Sequence, residues 1–192
     1  WRTLFVHLDQ YRDQAPGVSS LGGAPLAANP YRDLRVRRAI SLAIDRTALT
    51  RVMLEGLAVP AANVVSPGVF GHDADLEPDP YDPRESRRLL GEAGYPSGFA
   101  VTLMGPNNRY MNDDQVLQAV AQMLARVGLR PQVQVAPLNV FLARVRRQEA
   151  SAALLGWGSF AADLALRSLL ATPDPAKGHG AWNWARYSNP AL

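Results

Sequence analysis

The sequence has 192 residues, 47% apolar and 19% charged, the balance of an ordinary globular protein with enough apolar material for a core. Its net charge of +3 rests almost wholly on arginine, since Lys177 is the one lysine, and no run of five basic residues occurs, so the composition gives no nucleic-acid footprint. Cysteine is absent, which excludes disulfides, thiol catalysis and cysteine-bound metal, and no apolar run reaches the roughly 18 residues that would span a membrane.

In chain order, residues 1–9 are rich in β-formers and alternate in part, which predicts a strand. Residues 10–30 are small and polar, with Gly22-Gly23 and three prolines, and predict a loop. Residues 32–54 carry apolar side chains at helical spacing (Val36, Ile40, Ala43, Ile44, Val52, Met53), with Asp33 as cap and Gly56 as terminator. Asp45-Arg46-Thr47 looks like a second cap that splits this run into two helices. Residues 57–80 are proline-rich without periodicity. Their length predicts an ordered excursion across the surface. Asp82-Pro83 then opens a helix, aspartate as N-cap and proline at the first helical position, with Leu89, Leu90 and Ala93 on its apolar side and Gly94 closing it.

From residue 99 onward strand and helix alternate. A strand is predicted over 99–104 and a polar loop over 105–112. A helix starting at Asp113 carries Val116, Leu117, Val120, Met123, Leu124 and Val127 on one face and ends at Gly128. A strand over 131–135, a helix over 138–148, a strand over 152–155 and a helix over 163–170 follow. The tail, residues 172–192, is loop with an aromatic cluster, Trp182, Trp184 and Tyr187. This order predicts an α/β domain, a mixed or parallel sheet layered between helices, with no linker dividing off a second domain. The chain starts at Trp1 rather than methionine and reads as a piece of a longer protein.

Catalytic signatures are missing. Gly156-Trp157-Gly158-Ser159-Phe160 does not match the Gly-x-Ser-x-Gly elbow of a serine hydrolase. No phosphate-cradling loop ends on the single lysine, and no Gly-x-Gly-x-x-Gly follows a strand. His7, His72 and His179 are scattered. His72-Asp73-Ala74-Asp75 has donor types suited to a cation, but reads as a hydrated loop. No cofactor is expected.

What remains is a set of loops that follow strands. In open α/β sheets ligands bind at the carboxyl ends of strands, and two such loops at one edge form one wall of a pocket. The candidate ligand-binding residues are Asn108, Arg109 and Tyr110 after the second strand, Trp157, Phe160 and Asp163 after the last, and Asn183 in the tail. Each also has a structural reading. Trp157 suits a core, Arg109 a surface ion pair, and the tail aromatics suit packing. Asp163 serves equally as helix cap or ligand contact, since one carboxylate can do both.

The motif order resembles a known family. Asn29-Pro-Tyr-Arg-Asp-Leu-Arg-Val-Arg-Arg-Ala-Ile-Ser-Leu-Ala-Ile-Asp-Arg46 is similar to a segment of the dipeptide/oligopeptide-binding proteins of bacterial ABC importers, solute-binding protein family 5. Tyr81-Asp-Pro-Arg-Glu-Ser-Arg-Arg-Leu-Leu-Gly-Glu-Ala-Gly-Tyr-Pro96 resembles its Y-D-P-x-x-A-x-x-L-L-x-E-A-G-Y segment. Arg109-Tyr-Met-Asn-Asp113, the Gly156-Trp157 strand end and Tyr187-Ser-Asn-Pro190 are similar too. The resemblance implies the second lobe of a two-lobed type II periplasmic binding protein, with residues 1–192 a single domain and the first lobe absent. It implies a receptor that closes on a peptide or other small organic solute, delivers it to ABC permease subunits and catalyses nothing. It further implies a monomer in the periplasm, or lipid-anchored outside the cell, without nucleic-acid partners. One departure stands out. Peptide-binding members commonly carry an ammonium-pairing aspartate three residues after the tryptophan. Here that position is Phe160, while the acidic position six residues after it is kept as Asp163. An α/β enzyme of unknown reaction and, more remotely, a basic nucleic-acid-binding domain are the alternative classes.

Overall fold

The computed structural model describes residues 2–189, so Trp1 of the first predicted strand and Pro190 of the last family-like segment lie outside the described residues. Five strands form one mixed sheet: β1 (Thr3–Leu8), β2 (Val18–Ser19), β3 (Ala100–Pro106), β4 (Arg130–Ala136) and β5 (Ala152–Trp157). β3 is its hub. β4 runs parallel to it from Ala100↔Arg130 to Pro106↔Ala136 and takes up one whole edge. The other edge is shared. β2 pairs antiparallel with Val101 and Ala100, and β5 joins parallel at Met104↔Ala153. β1 then pairs antiparallel with β5, from Thr3↔Trp157 to Leu8↔Ala152. Because β3, β4 and β5 are parallel, the chain leaves all three at the same edge of the sheet.

Side chains alternate across a strand, and β5 uses both faces. Ala152 and Leu154 join the larger core cluster, with Val36, Leu90, Leu103, Leu117 and Leu124. Ala153 and Leu155 join the smaller one, with Met104, Phe141 and Val145. The larger cluster is built under α1 (Leu34–Ala43), α3 (Pro83–Glu92) and α4 (Asp113–Arg126), and the smaller under α5 (Leu138–Arg146). Helices therefore cover both faces, and the run of small and aliphatic residues in β5 reflects burial on both sides.

The predicted split in the first helical run is present. Ile44 is extended, with φ −96° and ψ 112°, and Asp45 accepts a hydrogen bond from Ala48 N at 2.8 Å. The Asp45 carboxylate starts a new helical turn, α2 (Arg46–Ala48), which runs into a single wide turn over Leu49–Met53. Asp82 caps α3 as its sequence predicts, accepting from Arg84 N and Glu85 N. The excursion over residues 57–80 is held at several points. Val65 and Ser66 are buried, His72 Nδ1 lies 2.7 Å from Val65 O, and Phe70 forms a parallel bridge with Ala161.

Two details depart from the sequence reading. The two-residue β2 lies inside the predicted loop over 10–30, too short to show a period. α6 (Ala162–Leu169) has Ala161 at its cap position, so Asp163 sits in the first turn, not at the cap. α4 starts at Asp113 as its sequence predicts, with Asn112 at the cap position in the left-handed region, φ 50°.

Candidate functional site

The loop after β3 is organised by a buried carboxylate. Asp113 folds back and accepts hydrogen bonds from Arg109 N at 2.9 Å, Tyr110 N at 3.0 Å and Asp114 N at 3.0 Å. A negative charge at the start of α4 is favoured by the helix dipole. The pinned loop aims Tyr110 at the end of β5, where Gly156 N donates to the phenolic oxygen at 2.8 Å. A Cβ at position 156 would lie 2.7 Å from Tyr110 Cε1 and 2.7 Å from Leu4 Cδ2, so glycine permits this approach. The guanidinium carbons of Arg2 and Arg109 lie 5.5 Å and 5.9 Å from the Tyr110 ring centroid, within cation–π range. Burial pushes the Tyr110 phenol above its ordinary pKa, against the opposing pull of the Gly156 hydrogen bond and the two arginine charges.

Beside this latch is a concavity of about 250 Å³. Arg2, Arg109, Tyr110, Trp157 and Trp182 give it a cationic and aromatic side. Phe5, Leu138, Leu142, Leu155 and Leu169 give it an apolar one. Trp157 meets Trp182 edge-on at 5.7 Å, and Trp182 lies 4.9 Å from Trp184. The buried Trp157 Nε1 has no acceptor among the described residues, so the wall carries an unmatched donor. Few polar groups among apolar and aromatic ones is the usual make-up of a small-molecule site. A larger depression, about 530 Å³, lies over β2 and the starts of β3 and β4. It is at the amino ends of the parallel strands, floored by Gly17, Thr102 and Gln132, and has no aromatic lining, so the carboxyl edge is the stronger candidate.

Of the seven predicted residues, Arg109, Tyr110 and Trp157 line the concavity together. Asn108 stands next to it and accepts from Leu138 N at 2.9 Å, which caps α5 where Pro137 cannot. Phe160 is 97% exposed, two residues beyond the lining residue Gly158. Asp163 is exposed and binds Arg167 at 2.7 Å, one turn along α6. Asn183 is buried and consumed by the tail: it donates to Ala171 O and Tyr187 O and accepts from Tyr187 N. Arg2 and Trp182 were missed as lining residues. Trp182 belongs to the tail aromatics, whose signal in the sequence was packing; nothing in the sequence places Arg2 beside Tyr110. Elsewhere, Asp73 accepts from Asp75 N in the loop that holds His72, and among the described residues no three His, Asp or Glu side chains gather to hold a metal.

Residues 6–170 match the model of the bacterial extracellular solute-binding proteins, family 5 middle. The glutathione-binding protein GsiB of Escherichia coli (strain K12) is 43% identical over 104 residues, 54% of this chain and 20% of that protein. GsiB of Salmonella paratyphi A is 35% identical over 169 residues, 83% of this chain and 32% of the relative. The chain thus spans about a fifth to a third of the length of these relatives. Among solved structures, the periplasmic binding protein DppA from Helicobacter pylori, in complex with the peptide STSA, matches 99% of this chain and 34% of its own, with TM-score 0.81 and 23% identity. The dipeptide-binding protein from Pseudoalteromonas sp. SM9913, in complex with Met-Leu, matches 99% of this chain and 35% of its own, with TM-score 0.79 and 21% identity. The fold described above is the fold of these proteins over the matched region.

Proposed function

The chain belongs to the bacterial extracellular solute-binding proteins of family 5, and we propose that it is one lobe of a receptor that captures a peptide or other small organic solute and passes it to an ABC permease. The observation that carries this reading is the concavity at the carboxyl edge of the sheet. Its roughly 250 Å³ falls short of the 300–1,000 Å³ of a complete small-molecule site, which suits one wall of a two-walled pocket. The share of the relatives that the chain covers supports the same reading, with residues 1–192 a single domain that forms most of a second lobe. Closure of the other lobe over the concavity would complete the pocket.

In this reading Arg109 takes a solute carboxylate through paired N–H donors. Tyr110 and Trp157 hold the body of the solute, and Phe160 meets it at the lip. Asn108, Asp163 and Asn183 act at one remove, through the α5 cap, the first turn of α6 and the fold of the tail. The receptor binds its solute and releases it chemically unchanged. It works outside the cytoplasmic membrane, in the periplasm or lipid-anchored at the cell surface, as a monomer. No helix among the described residues is long and apolar enough to cross a membrane. Native mass spectrometry of the full-length receptor tests the proposal. The expected outcome is a single organic solute that co-purifies intact and is lost from the Trp157→Ala variant. A solute recovered as reaction product would replace the receptor reading with an enzyme.

A further inference from the structure

The outer face of the helical layer carries charge that the fold does not use. α1 and α3 hold six arginines and two glutamates, and their caps two aspartates. With Arg126 at the end of α4 the balance is +3, equal to the net charge of the whole chain. The arginines of the three helices are neighbours. Arg87 donates to Arg126 O at 3.1 Å and Arg35 to Glu92 O at 2.8 Å. Glu85, held below its ordinary pKa first by the Arg88 hydrogen bond, also feels the Arg38 charge across from α1.

The carboxylates of this layer are already taken. Asp33 pairs with Arg35, Glu85 and Glu92 both pair with Arg88, and Asp82 caps α3. Arg38, Arg84 and Arg126 are exposed, and their side chains make no hydrogen bond or ion pair with a described residue. Leu34, 66% exposed, stands one turn before Arg38 on α1. α4 starts from the loop after β3 and leads back to β4, so Arg126 lies at the amino edge of the sheet, away from the concavity.

We propose that this face is a docking surface for an anionic lipid bilayer, with headgroup phosphates taking the guanidiniums of Arg38, Arg84 and Arg126 and Leu34 entering the interface beside Arg38. The planar fork of a guanidinium matches a phosphate group, and each basic residue near an anionic leaflet adds to the attraction. No internal ion pair has to break for the three to engage. The family is extracellular, so a bilayer, not a nucleic acid, is the polyanion within reach. An exposed leucine on the same helical stripe gains from an acyl boundary and nothing from a phosphodiester backbone. Docked in this way, the chain leaves its carboxyl edge clear of the membrane. The inference uses the family membership alone and stands apart from the identity of the solute.

Co-sedimentation of the full-length protein with two kinds of vesicle tests it, one of phosphatidylcholine and one with a third of that lipid replaced by phosphatidylglycerol. A lipid anchor acts on both alike and cancels. At about 0.1 M salt the wild type is expected to bind the charged vesicles at least tenfold more tightly, and at about 0.5 M to lose that preference. Arg38→Gln, Arg84→Gln and Arg126→Gln combined should cut the preference below about threefold. Arg51→Gln, Arg146→Gln and Arg186→Gln combined remove equal charge from exposed positions elsewhere and should keep it. Solute binding should be the same in both variants. A wild type without preference overturns the inference, whatever the variants do. Equal loss in the two variants also overturns it, since net charge alone would then account for binding. Release by inorganic phosphate at constant ionic strength would replace the surface with a small-ion site, and duplex DNA bound as tightly as the charged vesicles would replace it with a nucleic-acid face.

Discussion

At Gly156 a methyl group would sit 2.7 Å from a tyrosine ring that is itself held by the Gly156 amide. Neither partner can yield without loosening the latch between β3 and β5. Gly156→Ala is therefore expected to cost about 1–3 kcal/mol, the usual cost of overpacking, and to displace Tyr110. Urea denaturation gives the first, and a crystal structure of the variant the second. An unshifted midpoint would show that the ring moves freely. His7 sets a different constraint. It is buried in β1 with both ring nitrogens unmatched, and desolvation lowers its pKa from 6.5 to about 4, with Asp9 opposing and Arg12 adding to the shift. The folded protein binds fewer protons than the unfolded chain between those values. This contribution to stability is fully present above about pH 6.5 and is lost as pH falls toward 4, by about 3 kcal/mol in all. Denaturation midpoints recorded from pH 7 to pH 4 should fall for the wild type and flatten for His7→Leu. At this scale the sequence was partly legible. Arg109, Tyr110 and Trp157 come together because position after a strand is a chain-local signal. The ion pair of Asp163 and the hydrogen bonds of Asn183 depend on which side chain is nearest in space, and spacing along the chain does not encode that.

Helix starts were the most legible elements, because a cap is a local event. Asp33, Asp45 and Asp82 each accept a backbone N–H within three residues. α3 is also locked to α1, where Ser86 Oγ donates to Ala39 O at 2.7 Å. Asp82→Ala should cost about 1 kcal/mol, with hydrogen exchange accelerating in α3 before α4. Uniform acceleration across the domain would mean that the cap acts only on global stability. β2 and the wide turn over Leu49–Met53 were illegible for the converse reason. Two residues have no period, and the wide turn keeps the helical pattern of apolar residues while altering the hydrogen bonds. The bridge between Phe70 and Ala161 joins residues 91 positions apart and leaves no local trace.

For the whole molecule, alternation of strands and helices from residue 99 predicted the layered sheet, and parallel strands fixed the edge where the candidate site lies. The antiparallel attachment of β1 to β5 was not readable, since alternation alone does not say which edge a strand joins. With one wall in place, the isolated chain should bind the natural solute at least 100-fold more weakly than the full-length receptor. Calorimetry on both forms checks this, and equal affinity would mean that the concavity is a complete site. The stacked indoles give such measurements a simple readout. The sequence has four tryptophans, and three of them, Trp157, Trp182 and Trp184, form one row at the concavity. Two of the three line it directly. Under the proposed function, light emitted by these residues reports on the solute's surroundings, and displacing water from the wall should shift its colour and yield. The molecule carries its own dye at the position where a label would otherwise have to be attached.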